Sequence, residues 1–168
     1  MKRFLTLVVA LCLSTMAMAQ KSESYFSLSG VAKSGTSLGE YKGVYSLEDA
    51  EVVFGYHFND KWAVTVPFTG SLELNTKFQT YTQQLYLGLG GEYSFLIDKN
   101  SRCTAYASVQ SSLTKRDLGG AMAYDFGVRD EFDGVQISVG FRYLDMYKSY
   151  VPNQWYLYTS FGFTLFSK

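Results

Sequence analysis

Asp49-Ala50-Glu51-Val52-Val53-Phe54-Gly55-Tyr56-His57-Phe58-Asn59-Asp60-Lys61-Trp62-Ala63-Val64-Thr65-Val66-Pro67-Phe68-Thr69 is two alternating runs joined by a polar turn, Asn59-Asp60-Lys61. In the first run Ala50, Val52, Phe54, Tyr56 and Phe58 share one face, while Glu51, Val53, Gly55 and His57 share the other. After the turn, Trp62, Val64, Val66 and Phe68 continue the apolar face. A soluble sheet would cover that face with a second layer. A transmembrane barrel turns it toward lipid and sets aromatic residues at the two interfaces. Tyr56, Phe58 and Trp62 fall where one such girdle belongs.

The same design recurs to the end of the chain, which reads as all-β: an eight-stranded antiparallel up-and-down transmembrane β-barrel. Strands are expected near Tyr25 to Ala32, Ala50 to Phe58, Trp62 to Thr69, Tyr81 to Phe95, Cys103 to Leu113, Ala121 to Arg129, Val135 to Leu144 and Trp155 to Phe166. The apolar face runs on through Leu85, Leu87, Leu89, Tyr93 and Phe95, then Val135, Ile137, Val139, Phe141 and Tyr143, then Trp155, Leu157, Phe161, Phe163 and Leu165. Compact turns at Asn59 to Lys61, Asp98 to Ser101 and Asp130 to Gly134 alternate with longer connections at Lys33 to Asp49, Gly70 to Thr80, Thr114 to Gly120 and Asp145 to Gln154. Short turns belong on the periplasmic side and longer loops outside, which puts both ends of the barrel in the periplasm. Pro67 removes a ladder donor, so a bulge or the outer rim is expected there. Inward Gly88 and Gly90 are expected to make room for Tyr86, Tyr106 or an arginine stem.

The N-terminus has the charge, core and small-residue order of a secretory signal: Lys2-Arg3, the apolar run Phe4 to Leu13, then Ala17-Met18-Ala19. Cleavage after Ala19 is expected, leaving residues 20–168 as one barrel domain. Leu11, beside Cys12, is not the small residue that a lipoprotein signal requires. No later segment offers about 18 consecutive apolar residues, which excludes an α-helical membrane bundle. Of 15 basic residues two lie in the signal, leaving 13 against 15 acidic, a mature charge of about −2. Nothing in that balance suits nucleic acid. Cys103 is the one cysteine of the mature chain, so neither an internal disulfide nor a cysteine-based metal cluster can form. Its expected role is small-residue packing. A mean hydropathy of −0.04 with 17% aromatic residues suits strands whose two faces cancel on average.

The hairpin Phe54 to Val64, the pattern Gly90-Gly91-Glu92-Tyr93-Ser94-Phe95 and the closing Ser160-Phe161-Gly162-Phe163-Thr164-Leu165-Phe166 together resemble the small eight-stranded outer-membrane proteins of Gram-negative bacteria, of the OmpX and OmpA barrel-domain kind. The resemblance covers the mature chain and implies an outer-membrane location. Members commonly end on an aromatic residue read by the assembly machinery, whereas Ser167-Lys168 follow Phe166 here.

The inward face collects Glu51, Glu92, Arg102, Asp125, Arg129 and Arg142, with Gln84, Gln110 and Gln136 among them. An eight-stranded interior is just wide enough for side chains to fill, so these groups are expected to pair across the lumen. Glu92, Arg102 and Arg129 belong near the periplasmic end, and Glu51, Asp125 and Arg142 higher. Intramembrane charges also mark ion and proton paths, which keeps a narrow channel for small solutes open as an alternative. His57, the one histidine, points inward beside a periplasmic turn, far from the outer rim where a lipid-modifying barrel enzyme needs its acid, base and nucleophile. A core hydrogen-bonding role is expected for it, and no catalytic, cofactor or metal site. Gly88, Gly90 and Gly91 do not form a phosphate-binding fingerprint.

Recognition is left to the outer connections, where Tyr41, Lys42 and Tyr45, and Tyr147, Lys148 and Tyr150, combine aromatic area with polar reach. The same tyrosines also suit anchoring at the outer interface. The expected partners are outer-membrane lipid and an extracellular ligand or protein met by the loops, with the barrel itself a monomer. A secreted barrel of lipocalin type is the rival fold; it would turn Phe54, Val64 and Leu87 inward.

Overall fold

A computed structural model describes residues 24–75, 80–98, 101–113, 120–147 and 152–167. Strands β1 (Tyr25–Ser37), β2 (Tyr45–His57), β3 (Trp62–Asn75), β4 (Thr80–Ile97), β5 (Ser101–Ser112), β6 (Ala121–Phe132), β7 (Val135–Met146) and β8 (Gln154–Ser167) follow one another around a closed barrel. Each pairs antiparallel with its sequence neighbours, and β8 returns to β1 through Ala32↔Phe161. Closure removes every sheet edge.

The apolar face points outward. Phe54, Val64 and Leu87 are 56%, 38% and 46% exposed, which rules out the lipocalin arrangement. Aromatic pairs cluster toward the two ends of this belt. Trp62 packs on Tyr93 and Phe26 on Tyr56 at the short-turn end, and Tyr143 packs on Trp155 and Tyr124 toward the other.

Local chemistry sets the short turns. Asn59 Oδ1 accepts the Lys61 and Trp62 backbone N–H groups at 2.8 and 2.9 Å, an Asx turn that lets Phe58 N–H reach Trp62 C=O at 2.9 Å. The expected five-residue turn at Asp130 to Gly134 is really two residues, because β6 continues to Phe132 and pairs with Val135. Asp133 and Gly134 both take positive φ, 48° and 80°, the conformation of a two-residue hairpin loop whose twist matches the flanking strands.

Other differences lie at the opposite end. The expected connections at Lys33 to Asp49 and Gly70 to Thr80 are largely strand: β1 runs to Ser37, β2 begins at Tyr45 and β3 extends to Asn75. On β3 the alternation continues, with Leu72 and Leu74 outward and Ser71 and Glu73 inward, but on β2 and β7 it inverts. On β2 Leu47 is buried inside while Glu48 faces out, and on β7 Leu144 is buried inside while Asp145 lies on the outer face. A sequence scan for outward apolar residues stops on β1 and β2, where the outward positions turn polar, but the hydrogen-bonded ladder does not.

Pro67 also departs from expectation. It lies within β3, buried and inward, opposite Val53 of β2. The register to β4 is unshifted, Thr65↔Gly90 and Phe68↔Leu87, so there is no bulge; the ladder on that side lapses across Val66 and Pro67. A missing N–H thus falls in a gap of an otherwise continuous sheet.

Candidate functional site: the filled lumen and its cap

Inward side chains divide the lumen into layers. Midway lies a buried ionic layer in which Arg142 donates from Nε and Nη2 to the two carboxylate oxygens of Asp125, each at 2.8 Å, and from Nη1 to Asp49. Lys33 Nζ donates to Glu51 at 2.8 Å and stands 3.8 Å from Asp125. Gln110 bridges the acids, giving its amide hydrogens to Asp125 at 2.9 Å and Glu51 at 3.3 Å, while Thr69 hydrogen-bonds Glu51 at 2.7 Å. Two cations and three carboxylates from β1, β2, β6 and β7 therefore share one buried network where none could be buried alone.

Toward the short turns, Arg129 pairs with Glu92 at 2.6 Å. Arg102 joins neither; its guanidinium donates to Tyr25 Oη at 2.5 Å and stands over that ring. His57 stacks on Tyr25, the ring centroids 4.2 Å apart, and its Nε2 lies 3.0 Å from Ser27 Oγ. Between these two layers Tyr106 Oη meets Tyr158 Oη at 2.9 Å and Ser138 Oγ at 3.1 Å. Gly127 and Gly140, which face each other across β6 and β7, make room for that pair: a Cβ on Gly127 would lie 2.6 Å from Tyr106 Oη, and one on Gly140 2.7 Å from the Tyr158 ring.

Gly88 and Gly90 serve different neighbours from those expected. A Cβ at Gly88 would meet Gln110 Cγ at 2.6 Å and one at Gly90 would meet Thr65 Oγ1 at 2.6 Å. Gly88 admits Gln110, the polar bridge of the ionic layer, and Gly90 admits Thr65, rather than an aromatic ring or arginine stem.

Above the ionic layer, on the side of the long connections, Leu47, Tyr86, Ala121, Ala123, Leu144 and Tyr156 form a fully buried apolar cap, with Tyr45 and Met146 packed on it. Below the ionic layer, among the described residues, two small cavities of about 40 and 30 Å³ share Val53, Thr65, Glu92 and Arg129 as walls. Each is room for only a few waters.

All six expected lumen residues point inward: Glu51, Asp125 and Arg142 come together, Glu92 meets Arg129, and Arg102 stands apart. Two members of the ionic layer, Lys33 and Asp49, were not expected there. The available signal was strand parity, which places both on the face of Glu51 once the strands are extended. Of the loop candidates, Tyr45 lies in β2 against the cap and Lys42 is exposed. Tyr147 Oη lies 3.1 Å from Ser111 Oγ, and its N–H donates to Gly120 C=O at 2.9 Å. The backbone of Tyr41 closes a short 3-10 turn, Gly39–Tyr41, whereas Lys148 and Tyr150 lie outside the described residues. Cys103 is partly exposed, its thiol 3.5 Å from an Asp130 carboxylate oxygen.

By its fold the chain is a small eight-stranded transmembrane β-barrel. No protein-family model matches the sequence, and no curated protein matches it. Among solved structures it is similar to the N-terminal β-barrel domain of Pseudomonas aeruginosa OprF, with a TM-score of 0.51 at 10% identity over 83% of this chain and 97% of that domain. Neisserial surface protein A gives 0.47 at 11% identity, covering 84% of this chain and 97% of that one. The Yersinia pestis outer membrane protein Ail, determined in a phospholipid bilayer nanodisc, gives 0.44 at 14% identity, covering 84% and 100%. The OprF match agrees with the closed β-barrel fold.

Proposed function

We propose that the protein is a non-catalytic barrel of the bacterial outer membrane, exported with cleavage of its first 19 residues, that acts in envelope structure or surface recognition through the connections at its long-loop end. The observation that carries this reading is the filled lumen. An ionic layer of Lys33, Asp49, Glu51, Asp125 and Arg142 lies under an apolar cap, and the cavities below it among the described residues measure about 40 and 30 Å³. A solute path would need room across both layers. Rigid strands ending in loops instead suit presentation of contact groups. Lipid is the partner of the belt, and the ligand or protein met at the surface falls to Tyr41, Lys42 and Tyr45 on one connection and Tyr147, Lys148 and Tyr150 on another. The barrel works as a monomer.

Membrane fractionation with heat-dependent gel migration tests the location and the fold together. Exchange of residues 41–45 and 147–150 for Gly/Ser segments then tests the role: the barrel should still fold while surface binding disappears. A narrow channel is the second reading, favoured by the shared walls of the two cavities. Steady conductance in planar bilayers, with selectivity changed by Arg142→Ala, would establish it instead.

A further inference from the structure

The cap contains one acid that its surroundings do not neutralise. Glu73 of β3 is 7% exposed; its cross-strand neighbour on β2 is Leu47, 0% exposed. Among the described residues no lysine or arginine nitrogen lies within 4.0 Å of it, and its Oε1 has no hydrogen-bond partner. The charged groups acting on it are Arg142 from β7 and Asp49 from β2, of opposite sign. Arg142 already spends Nε and Nη2 on Asp125 and Nη1 on Asp49. The cap itself is apolar or phenolic, with Leu144 of β7, Ala121 and Ala123 of β6, Tyr86 of β4 and Tyr156 of β8, and the uncharged polar neighbours are Thr82, opposite Glu73 on β4, and Gln154, which meets Tyr156. An ionised carboxylate in this setting would be both desolvated and unpaired.

The hydrogen bonds at Tyr156 fit a neutral Glu73. Tyr156 Oη contacts two acceptors, Glu73 Oε2 at 3.2 Å and Gln154 Oε1. A phenol has one proton and cannot donate to both. If Glu73 donates from Oε2 to Tyr156 Oη, and Tyr156 donates onward to Gln154 Oε1, each contact carries one hydrogen.

We propose that Glu73 is a proton-binding site, held as the neutral acid and donating to Tyr156, and that its ionisation loosens the cap over the lumen. On release the proton passes from Oε2 to water and leaves a carboxylate among apolar neighbours. The native state then holds a proton that the unfolded chain gives up from about pH 4 upward. The sign follows: native binds more protons than unfolded, so this contribution to stability is complete at acid pH and is lost as pH rises.

The test uses the full mature chain folded in detergent micelles. Urea unfolding is followed by the fluorescence of Trp62 and Trp155 across a pH series, for wild type and Glu73→Gln. The two midpoints should coincide at acid pH, with wild type falling progressively behind as pH rises. Infrared spectra should show a carboxylic-acid C=O band at neutral pH in wild type that Glu73→Gln removes. Tyr156→Phe should shift that band without abolishing it, an expectation that stands even if Glu73→Gln fails to fold. A wild type without the band, or a Glu73→Gln midpoint below wild type at neutral pH, overturns the proposal. So does recovery of wild-type stability at high pH by sodium or calcium chloride alone, which would make the occupant a metal cation. Loss of the band in Asp49→Asn but not in Glu73→Gln would move the proton to Asp49 and equally overturn it.

Discussion

Arg142 is the residue on which most of the lumen converges, fully buried and bonded to carboxylates on two other strands. Arg142→Ala should cost about 3 to 5 kcal/mol, because it leaves Asp49 and Asp125 buried against Lys33 alone. Arg142→Lys should recover only part of the loss, since an ammonium cannot reproduce the forked contact to Asp125. Urea midpoints measured beside an intact heat-modifiable band would separate lost stability from lost insertion. Parity alone made Arg142, Asp125 and Glu51 legible in the sequence. It did not reveal Lys33 and Asp49, because Lys33-Ser34-Gly35-Thr36-Ser37 carries no apolar residue to mark the outward face. Gly127 and Gly140 were equally silent, for a glycine that clears space for Tyr106 and Tyr158 shows its purpose only when strands that are distant in sequence are brought together.

At the scale of the element, each strand carries two separable demands. The outward demand is avoidance of charge: Val139 of β7 and Leu87 of β4 are 51% and 46% exposed on the belt. Val139→Arg or Leu87→Arg should cost about 2 to 4 kcal/mol near the midplane. Folding yield in lipid vesicles measures this, with the inward Ser138→Arg as a contrast that fails by crowding. The turn demand is conformational. Gly134 takes φ 80° in the β6–β7 hairpin, so Gly134→Ala should destabilise by about 1 kcal/mol, visible as faster unfolding of that hairpin by hydrogen exchange. The strand order and belt were legible because an alternating signal repeats in every strand. Pro67 misled because a missing donor was expected to distort the sheet, whereas the ladder gap across Val66 and Pro67 absorbs it without a shift of register.

For the whole molecule, closure and filling act together: the sheet has no edge, and the lumen is tied across by ion pairs between strands that are not neighbours in the sheet, Arg142 of β7 to Asp49 of β2 and Arg129 of β6 to Glu92 of β4. Loop-exchanged protein should therefore migrate as a compact species before heating and as an expanded one after, as the parent does; a fully expanded unheated form would mean that the connections help to hold the barrel. The inversion near the long-loop end carries a different implication. Along β2, substitution should obey two opposed grammars. At Val52 and Phe54 a lysine is intolerable and at Glu51 a leucine is, whereas a few residues away Glu48 should accept lysine freely and Leu47 should accept only another hydrocarbon. A saturation scan of this one strand would show the phase of tolerance flip between Leu47 and Glu51, and the position of the flip would mark where lipid gives way to water.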